Sequence, residues 1–451
     1  MYDNYYFIGI GGIGMSAIAR YFKHEGKNVS GYDITPSQLT SALEKEGIEV
    51  HYEDRPDLIP LNTDNTFVIY TPAIPEDLAE LQYVKDKGYA ISKRSRALGQ
   101  ITAGKDCLAV SGTHGKTTTS TLLAHILTES GVGCSAFLGG ISKNYHSNLL
   151  LGDSDALVAE ADEYDRSFLQ LHPDVAVITY IDADHLDIYG NKQNVVDAFS
   201  QFASQIKIGG KLILKEGVDL PLDSIKAKVF RYSFNKPCDF YASDIKPLAE
   251  GRFDFCMNYP GGKIEHCTVG VPGWINVENA VAATAVALSY KKINPIRVKN
   301  ALASFQGVER RMDIRYSDSK KAYVDDYAHH PKEIMSAISS IRNIFPDRKI
   351  LGIFQPHLYT RTRDFAAEFS QALSGLDSLV MLPIYPAREL PITGVFSEMI
   401  LDKVTINDKT LVQKEDLLEY LSSKDIDVLV TFGAGDIDRF IKPIEDLIKN
   451  V

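Results

Sequence analysis

A segment between an apolar stretch and a helix-forming stretch carries glycine, lysine and hydroxyl side chains, in the order SGTHGKTT at residues 111–118. Backbone N–H groups of such a loop can bind phosphate oxygens, the lysine can reach the β- and γ-phosphates, and a threonine hydroxyl can bind magnesium. Val110 stands where the complete motif has its first glycine. The pattern predicts a nucleoside triphosphate site formed by Gly112, Thr113, His114, Gly115, Lys116, Thr117 and Thr118.

Acidic residues follow two of the next predicted strands. Residues 158–163 read VAEADE, and residues 182–187 read DADHLD. Magnesium prefers carboxylate, hydroxyl and water oxygens, so Glu160 with Thr117 is the natural first pair of ligands. From the residue types alone, His185 is either a ligand or a supporting histidine beside the metal.

A second glycine-rich segment, GIGGIG at residues 9–14, follows the first apolar strand and opens a helix. Glycines let the backbone turn tightly and approach a diphosphate, whose charge then meets free amides at the helix N-terminus. Asp33 lies nineteen residues after Gly14, where a ribose hydroxyl would be bound. Taken alone this indicates NAD, but the motif does not decide which diphosphate ligand is bound.

The last third of the chain has two polar segments at predicted strand ends: YVDDYAHHP at residues 323–331 and FQPHLYTRTRD at residues 354–364. Neighbouring parallel strands bring such segments to one edge of a sheet, where ligands bind. His329 and His330 are adjacent, so their side chains are poorly placed to chelate one metal. Arg310 or Arg311 could donate to a phosphate.

Strands and helices alternate along most of the chain, which predicts parallel sheets covered by helices on both faces. Residues 211–269 have short strands with Gly and Pro turns, and we expect an antiparallel region there. Linkers predicted at residues 101–105 and 306–308 divide the chain into domains 1–103, 104–308 and 309–451.

Composition fits an ordinary soluble globular protein, and the length predicts about three domains. The 451 residues carry a net charge of −11, which opposes binding to nucleic acid. No apolar run is long enough to span a bilayer, and the amino terminus lacks a secretion signal. Five scattered cysteines without a C-x-x-C pair indicate reduced thiols, so we expect a cytoplasmic protein.

With these motifs in order along nearly its whole length, the chain resembles the Mur ligases. The matching segments include GIGGIGMS, SGTHGKTTT, EADEYDRSFL, DADHLD, DDYAHHP and FQPHLYTRTRDF. The resemblance implies an α/β fold with an N-terminal Rossmann-like UDP-binding domain, a central P-loop ATPase-like domain and a C-terminal Rossmann-like domain. It also implies the activity: ATP phosphorylates the carboxylate of UDP-N-acetylmuramate, and the amine of L-alanine attacks the acyl phosphate, in peptidoglycan precursor synthesis.

The resemblance assigns roles residue by residue. Lys116 would bind the β- and γ-phosphates, Thr117 and Glu160 one Mg²⁺, and His185 a second. The nucleotide would also contact Asn276, Asn279, Arg310, Asp325 and Asp326. The amino acid would contact Tyr327, His329 and Arg361, and we expect Lys116, Glu160, His185, His329 and Arg361 to be catalytic. The sugar nucleotide would contact Gly11, Gly12, Ile13, Gly14, Met15, Asp33 and Thr71.

Two departures and two alternatives accompany this assignment. Ile275 stands where many relatives have histidine, and Leu358 where many have arginine, leaving Arg361 to bind the amino-acid carboxylate. A murein peptide ligase would attach a recycled tripeptide to the same sugar nucleotide. The QPHLYTRTR block at residues 355–363 favours the single amino acid, because Arg361 is placed to bind an amino-acid carboxylate. An NAD-dependent dehydrogenase would use the first glycine motif and Asp33, but would leave Lys116 and Glu160 without a role.

Overall fold

The computed structural model describes residues 2–182, 186–387 and 389–450. These residues form three separate sheets of five, ten and six strands, each covered by helices. The alternation of strand and helix read from the sequence is therefore confirmed.

The first sheet is parallel throughout, as expected for strands whose connections run through helices. Its elements are β1 (Asn4–Ile8), α1 (Ile13–His24), β2 (Asn28–Tyr32), α2 (Gln38–Lys45), β3 (Glu49–His51), β4 (Thr66–Tyr70), α3 (Ala79–Asp86), β5 (Ala90–Lys93) and α4 (Arg94–Thr102). The strand order β3-β2-β1-β4-β5 brings the loops after β1 and β4 side by side.

The second sheet has the order β15-β14-β13-β12-β11-β10-β6-β9-β7-β8. Its elements are β6 (Asp106–Ser111), α5 (Lys116–Glu129), β7 (Ser135–Ser142), β8 (Ser147–Leu150), β9 (Ala156–Ala161), β10 (Val175–Ile178), α6 (Leu186–Tyr189), α7 (Lys192–Ser204), β11 (Lys211–Lys215), β12 (Lys228–Ser233), β13 (Phe240–Pro247), β14 (Phe253–Tyr259), β15 (Gly262–Thr268), α8 (Trp274–Tyr290) and α9 (Pro295–Ser304).

The expected antiparallel region covers less of this sheet than predicted. Strands β10, β11, β12 and β13 pair in parallel, and β14 pairs with β15 in the antiparallel direction. The short strands extend the parallel sheet outward from β6, and a hairpin closes its edge. A second antiparallel hairpin, β7 with β8, closes the other edge.

The third sheet has the order β16-β17-β21-β18-β19-β20, with β16 antiparallel to β17 and parallel pairing elsewhere. Its elements are β16 (Asp313–Ser317), β17 (Ala322–Asp326), α10 (Pro331–Ile344), β18 (Ile350–Phe354), α11 (Tyr359–Asp364), α12 (Ala366–Leu373), β19 (Ser378–Met381), α13 (Glu398–Leu401), β20 (Asp408–Leu411), α14 (Leu417–Ser422), β21 (Val428–Phe432) and α15 (Ile441–Asn450).

The chain forms two compact units. The first contains residues as far as 246 together with 254–270 and 275–307, so it includes the first two sheets. One hydrophobic core joins those sheets: Tyr5, Phe7 and Ile18 belong to the same buried cluster as Phe137 and Phe168. The predicted first linker is short, because α4 ends at Thr102 and β6 begins at Asp106.

The second unit contains residues 247–253, 271–274 and 308–451. Two segments from the middle of the sequence therefore pack with the third sheet. The predicted domains are continuous stretches of the chain, so they do not include this arrangement. The boundaries at residues 103 and 308 stay predictions. Among the described helices, none is both long and apolar enough to cross a membrane.

Candidate functional site

The phosphate loop joins the end of β6 to the start of α5. Gly112 has a φ of +130° and Gly115 a φ of +79°, both in the region that favours glycine. A Cβ at Gly112 would overlap the Thr179 hydroxyl and lie 2.8 Å from the backbone nitrogen of Tyr180. The sequence therefore places glycine where a side chain would prevent the loop from forming.

Lys116 lies at the first position of α5, and its ammonium group donates to two oxygens. The Nζ atom is 2.8 Å from the carbonyl oxygen of Gly112 and 2.6 Å from Oε2 of Glu163, a carboxylate that is almost completely buried. Burial disfavours the charged lysine, but Glu163, Asp162 and Glu160 outweigh it and raise the pKa of Lys116. Burial also raises the pKa of Glu163, against the effect of Lys116. The cation predicted to bind phosphate is thus held charged by a carboxylate cluster.

Thr117 and Glu160 come together as predicted for a magnesium site. The Thr117 hydroxyl is 3.0 Å from Oε1 of Glu160, while Oε2 accepts a 3.0 Å hydrogen bond from the backbone N–H of Gly139. A hydroxyl and a carboxylate oxygen are suitable ligands for a small divalent cation that keeps several waters and binds phosphates. The two residues fit Mg²⁺, although no cluster of three acidic, histidine or cysteine residues within the described chain forms a complete cage. His185 lies outside the described residues.

A polar network that the sequence did not reveal supports the phosphate loop. The Tyr180 hydroxyl donates to Glu278 at 2.6 Å, and Lys215 pairs with the same carboxylate at 2.8 Å while lying over the Tyr180 ring. The Tyr180 carbonyl accepts from the Thr113 N–H, and His114 pairs with Asp182. The signal available in the sequence was Glu278, the single charged residue of α8.

Asn276 and Asn279, the predicted nucleotide contacts on α8, are both buried. The Asn279 amide donates to Asn276 at 3.3 Å, and its oxygen accepts from Thr119 on α5 at the same distance. A Cβ at Gly115 would lie 2.9 Å from that oxygen. The structure therefore brings Asn279 against the phosphate loop.

The first glycine loop has the geometry of a diphosphate site. α1 begins at Ile13 after Gly12, with no side-chain cap and no acidic residue in its first turn. Asp33 accepts from the backbone N–H of Gly11 at 2.8 Å and of Thr35 at 3.1 Å, although burial raises its pKa. The Thr71 methyl group packs where a Cβ of Gly9 would be. Asp33 thus shapes the loop.

Arg94 is the first residue of α4, directly after β5, and its side chain reaches the first glycine loop. Its Nη1 atom lies 2.6 Å from where a Cβ of Gly14 would be, and its Nη2 atom is 3.9 Å from Asp162. It therefore connects the glycine loop with the acidic segment beside Lys116. A cavity of about 390 Å³ lies beside the start of α4 and is lined by Tyr70, Ile91, Ser92, Lys93, Ser95, Arg96 and Gln170. The basic run KRSR at residues 93–96 was the missed signal.

In the second unit, Asp325 and Asp326 follow each other at the end of β17 and are both buried. Asp325 accepts from Arg310 at 3.1 Å and from the Thr431 hydroxyl at 2.6 Å. Asp326 accepts from the N–H groups of Met312 and Ala328, and burial raises its pKa to about 6. Both carboxylates thus accept hydrogen bonds from the loop before β16. Binding of the ATP ribose by Asp325 or Asp326 stays a prediction.

The residues predicted to receive the amino acid come together near the ends of β17 and β18. The side chains of Arg310 and Arg311 face the Tyr327 ring, and their Cζ atoms lie 5.2 Å and 5.0 Å, respectively, from the ring centre. The His329 ring packs against Tyr327 and against His357. Arg310 also donates to the Gly433 carbonyl, which leaves Arg311 the less constrained of the two.

Arg361 lies on α11, half-buried, and its charge acts on His329. Its guanidinium forms no ion pair with any residue in the described parts of the chain. Leu358, which opens α11, has a φ of +73° and a ψ of 137°, an uncommon backbone conformation for a residue with a side chain. Strained residues of this kind concentrate at binding sites.

The geometry defines a class of protein: a three-sheet α/β enzyme with a phosphate loop on the second sheet and a diphosphate-type loop on the first. Sequence profiles identify the family. The Mur ligase family catalytic domain matches residues 4–106, the Mur ligase middle domain residues 110–287, and the Mur ligase glutamate ligase domain residues 310–435. The chain belongs to the Mur ligase family.

Individual relatives match over the whole length. The UDP-N-acetylmuramate–L-alanine ligase of Porphyromonas gingivalis is 51% identical, with 99% of each chain covered. The enzyme of the same name from Parabacteroides distasonis is 48% identical, covering 98% of this chain and 96% of its own.

Solved structures agree on the fold. The UDP-N-acetylmuramate-alanine ligase MurC from Thermotoga maritima has a TM-score of 0.83 at 28% identity, covering 98% of this chain and 99% of its own. A murein peptide ligase from Psychrobacter arcticus has a TM-score of 0.73 at 21% identity, covering 99% of both chains, and shows the fold alone. The predicted family and fold class are confirmed, and family membership excludes the dehydrogenase interpretation.

Proposed function

We propose that this protein is an ATP-dependent ligase that joins L-alanine to the carboxylate of UDP-N-acetylmuramate through an acyl phosphate. The observation that carries the proposal is full-length identity of 51% to the UDP-N-acetylmuramate–L-alanine ligase of Porphyromonas gingivalis. The position of Lys116 and of the Thr117–Glu160 pair beside the glycine loop after β6 supports it. The product is a precursor of peptidoglycan, and we place the reaction in the cytoplasm, where ATP and nucleotide sugars are present.

The first chemical requirement is to bring two anions together. The muramyl carboxylate must approach the γ-phosphate of ATP, and their repulsion has to be offset by positive charge inside the site. Lys116, kept charged by its carboxylate neighbours, supplies one cation, and the free amides at the start of α5 supply partial positive charge. Asn276 and Asn279 are proposed to contact the nucleotide from α8.

Mg²⁺ bound to ATP would add charge neutralisation of the phosphates. Thr117 and Glu160 are the residues proposed to hold it, because their oxygens lie together beside the phosphate loop. His185 is proposed as a ligand of a second Mg²⁺ from the family resemblance. Gly139 donates to Glu160 and thereby fixes the orientation of that carboxylate.

The sugar nucleotide is proposed to bind the first sheet. The backbone of Gly11, Gly12, Ile13, Gly14 and Met15 lies at the uncapped start of α1, which suits a diphosphate. Arg94 beside Gly14 is a further cation for this anion. Asp33 and Thr71 are proposed to complete the loop.

The amino acid is proposed to bind the second unit. Its carboxylate would pair with Arg361, whose guanidinium makes no ion pair within the described residues, and Tyr327 and His329 would face its amine. Arg310 or Arg311 is proposed to donate to the phosphates of ATP, and Asp325 or Asp326 to bind its ribose. The contacts favour Arg311 as the phosphate donor, because Arg310 is already hydrogen-bonded to Asp325 and to the Gly433 carbonyl.

Phosphate release should depend on ATP, UDP-N-acetylmuramate and L-alanine together. A murein peptide ligase would instead respond to the recycled tripeptide, so both amines are supplied in parallel. Lys116→Met should abolish release while leaving the affinity for UDP-N-acetylmuramate nearly unchanged, measured by calorimetry. Lys105→Met, which removes an exposed lysine paired with Asp155, is the control for lost charge. Release with the tripeptide and none with L-alanine would replace the proposal by its alternative.

A further inference from the structure

The first turn of α11 is held by a side chain from outside the helix. Leu358 precedes the helix, and its side chain forms no capping hydrogen bond. The backbone N–H of Thr360 is one of the first-turn donors that a helix cannot satisfy by itself. It donates to Oε2 of Glu389 at 3.0 Å, and the Thr360 hydroxyl donates to Oε1 of the same carboxylate. Both oxygens of Glu389, twenty-nine residues further along the chain, therefore bind a single residue of α11.

The segment that leads to Glu389 runs beside the residues that precede α11. His357 and Tyr385 form a parallel β-bridge, and their rings stack with centres 5.8 Å apart. The Leu358 N–H donates to the Tyr385 carbonyl at 3.0 Å, and the Tyr385 N–H donates to the Pro356 carbonyl at 2.8 Å. The backbone shortly before Glu389 is therefore fixed against the same residues that lead into the helix.

The backbone of Leu358 needs this support. Its φ of +73° and ψ of 137° are uncommon for a residue with a side chain, and such a conformation persists only where the surrounding structure holds it. The Leu358 carbonyl accepts from the N–H of Thr362 at 3.1 Å and from its hydroxyl at 2.8 Å. Glu389 binds Thr360, which lies between these two residues. Without the Glu389 contacts, the first turn of α11 could relax towards a more common backbone conformation.

Arg361 is the residue whose position depends on this turn. It directly follows Thr360, its charge acts on His329, and its guanidinium forms no ion pair within the described residues. A guanidinium binds a carboxylate through two parallel N–H donors, so its orientation matters as well as its charge. A displacement of about 1 Å in a positioning group can cost about 100-fold in rate. Rotation of the first turn would therefore misdirect Arg361 even though its charge remained.

We propose that Glu389 is a positioning residue that orients Arg361 for the carboxylate of the incoming amino acid; this rests on the function proposed above. Glu389 acts through the Thr360 backbone and hydroxyl and does not bind the amino acid itself. What matters at residue 389 is therefore its ability to form the two hydrogen bonds, and its negative charge is not required. Affinity for the amino acid is then set jointly by α11 and by the segment that carries Glu389.

Two substitutions of Glu389 separate hydrogen bonding from charge. Glu389→Ala should raise the KM for L-alanine by about tenfold and leave kcat and the KM values for ATP and UDP-N-acetylmuramate nearly unchanged. Glu389→Gln should stay within about threefold of wild type, because the amide oxygen can accept from the Thr360 N–H and the amide nitrogen can donate to its hydroxyl. Glu368→Ala, which removes an exposed carboxylate from α12, is the control. The measurement is steady-state phosphate release with each substrate varied in turn.

Thr360 offers the matching test from the helix side. Thr360→Val keeps the backbone N–H and the branched shape but removes the hydroxyl that binds Glu389. We expect an intermediate rise in the KM for L-alanine, about threefold, because one of two hydrogen bonds is lost. Thr360→Ser keeps both contacts and should behave as wild type.

A double variant shows whether Glu389 acts through Arg361. Once the guanidinium is removed, nothing remains for Glu389 to orient. The variant with both Arg361→Ala and Glu389→Ala should therefore have the KM for L-alanine of Arg361→Ala alone. Two increases that multiply would overturn the proposal, and so would an unchanged KM in Arg361→Ala.

The remaining outcomes separate this inference from the function on which it rests. If Glu389→Gln were as impaired as Glu389→Ala, the charge of Glu389 would be the important property and the positioning role would be wrong. A KM for ATP that rises equally in Glu389→Ala would indicate general loss of structure and would also overturn it. Absence of L-alanine-dependent phosphate release with wild-type protein would instead contradict the proposed ligase.

Discussion

At the scale of single residues, the loop between β6 and α5 depends on two glycines and one charge pair. Gly112 and Gly115 have backbone conformations that favour glycine, and this is why the residue types of SGTHGKTT predict a phosphate-binding turn. The partners of side chains could not be recognised in this way. That Lys116 pairs with Glu163, forty-seven residues away, depends on the order of strands in the sheet.

Arg361 is expected to determine affinity for the amino acid. Losing a cation opposite a carboxylate costs a charge-assisted hydrogen bond, so Arg361→Ala should raise the KM for L-alanine by about one to two orders of magnitude, with little change for ATP. Arg363→Ala is the matched control, because Arg363 is on the same helix but exposed and paired with Asp364. Steady-state kinetics with each substrate varied in turn makes the comparison.

An unchanged alanine KM in Arg361→Ala would mean that another residue binds the carboxylate. Leu358→Arg extends the test, since it restores the residue found in many relatives. We expect it to keep activity or to lower the KM for L-alanine. The positive φ at this position is already tolerated by leucine, so arginine adds no new backbone strain.

At the scale of elements, hydrophobic periodicity located most strands and helices, and it failed where neighbours decide the outcome. Helix α8 begins at Trp274, before its Ala- and Val-rich part, and its polar residue Asn279 is buried and accepts from Thr119 of α5. Residues 359–373 form two helices, α11 and α12, that meet at Phe365. The antiparallel prediction for residues 211–269 holds for β14 and β15 but is wrong for β11 and β12, because short strands with turns do not reveal which neighbour they will pair with.

The turn between β6 and α5 should tolerate no Cβ at its first glycine. Gly112→Ala would put a methyl group onto Thr179 and against the Tyr180 nitrogen, at a φ of +130°. We expect loss of ATP-dependent turnover and a lower melting temperature. Gly104→Ala is the control, since its Cβ would meet nothing within 4 Å. A fully active Gly112→Ala protein would contradict the described loop.

At the scale of the whole molecule, three α/β sheets were predictable from alternating strands and helices. Their grouping was not. Residues 247–253 and 271–274 flank the β14–β15 hairpin in the sequence, yet they pack with the third sheet. Gly251 lies against Ile344 of α10, and its carbonyl accepts from the Gly273 N–H. Such contacts between distant segments leave no periodic signal.

Packing of this segment can be tested with two glycines of similar backbone conformation. Gly251 and Gly261 have φ values of +68° and +96°; a Cβ at Gly251 would lie 2.5 Å from Ile344, whereas a Cβ at Gly261 would meet nothing within 4 Å. Gly251→Ala should therefore increase hydrogen exchange of α10, and Gly261→Ala should not. Similar exchange in both variants would refute the packing of residues 247–253 on α10.

The shared core of the first two sheets has a thermodynamic consequence. Asn148, on β8, donates to the Ile13 carbonyl and to the Ser16 hydroxyl at the start of α1. The two phosphate-binding loops thus belong to one cooperatively unfolding body. A ligand at one hundred times its Kd stabilises the native state by about 2.7 kcal/mol wherever it binds. Saturating UDP-N-acetylmuramate should therefore slow the hydrogen exchange of α5 even without ATP, although its proposed diphosphate site lies on the first sheet.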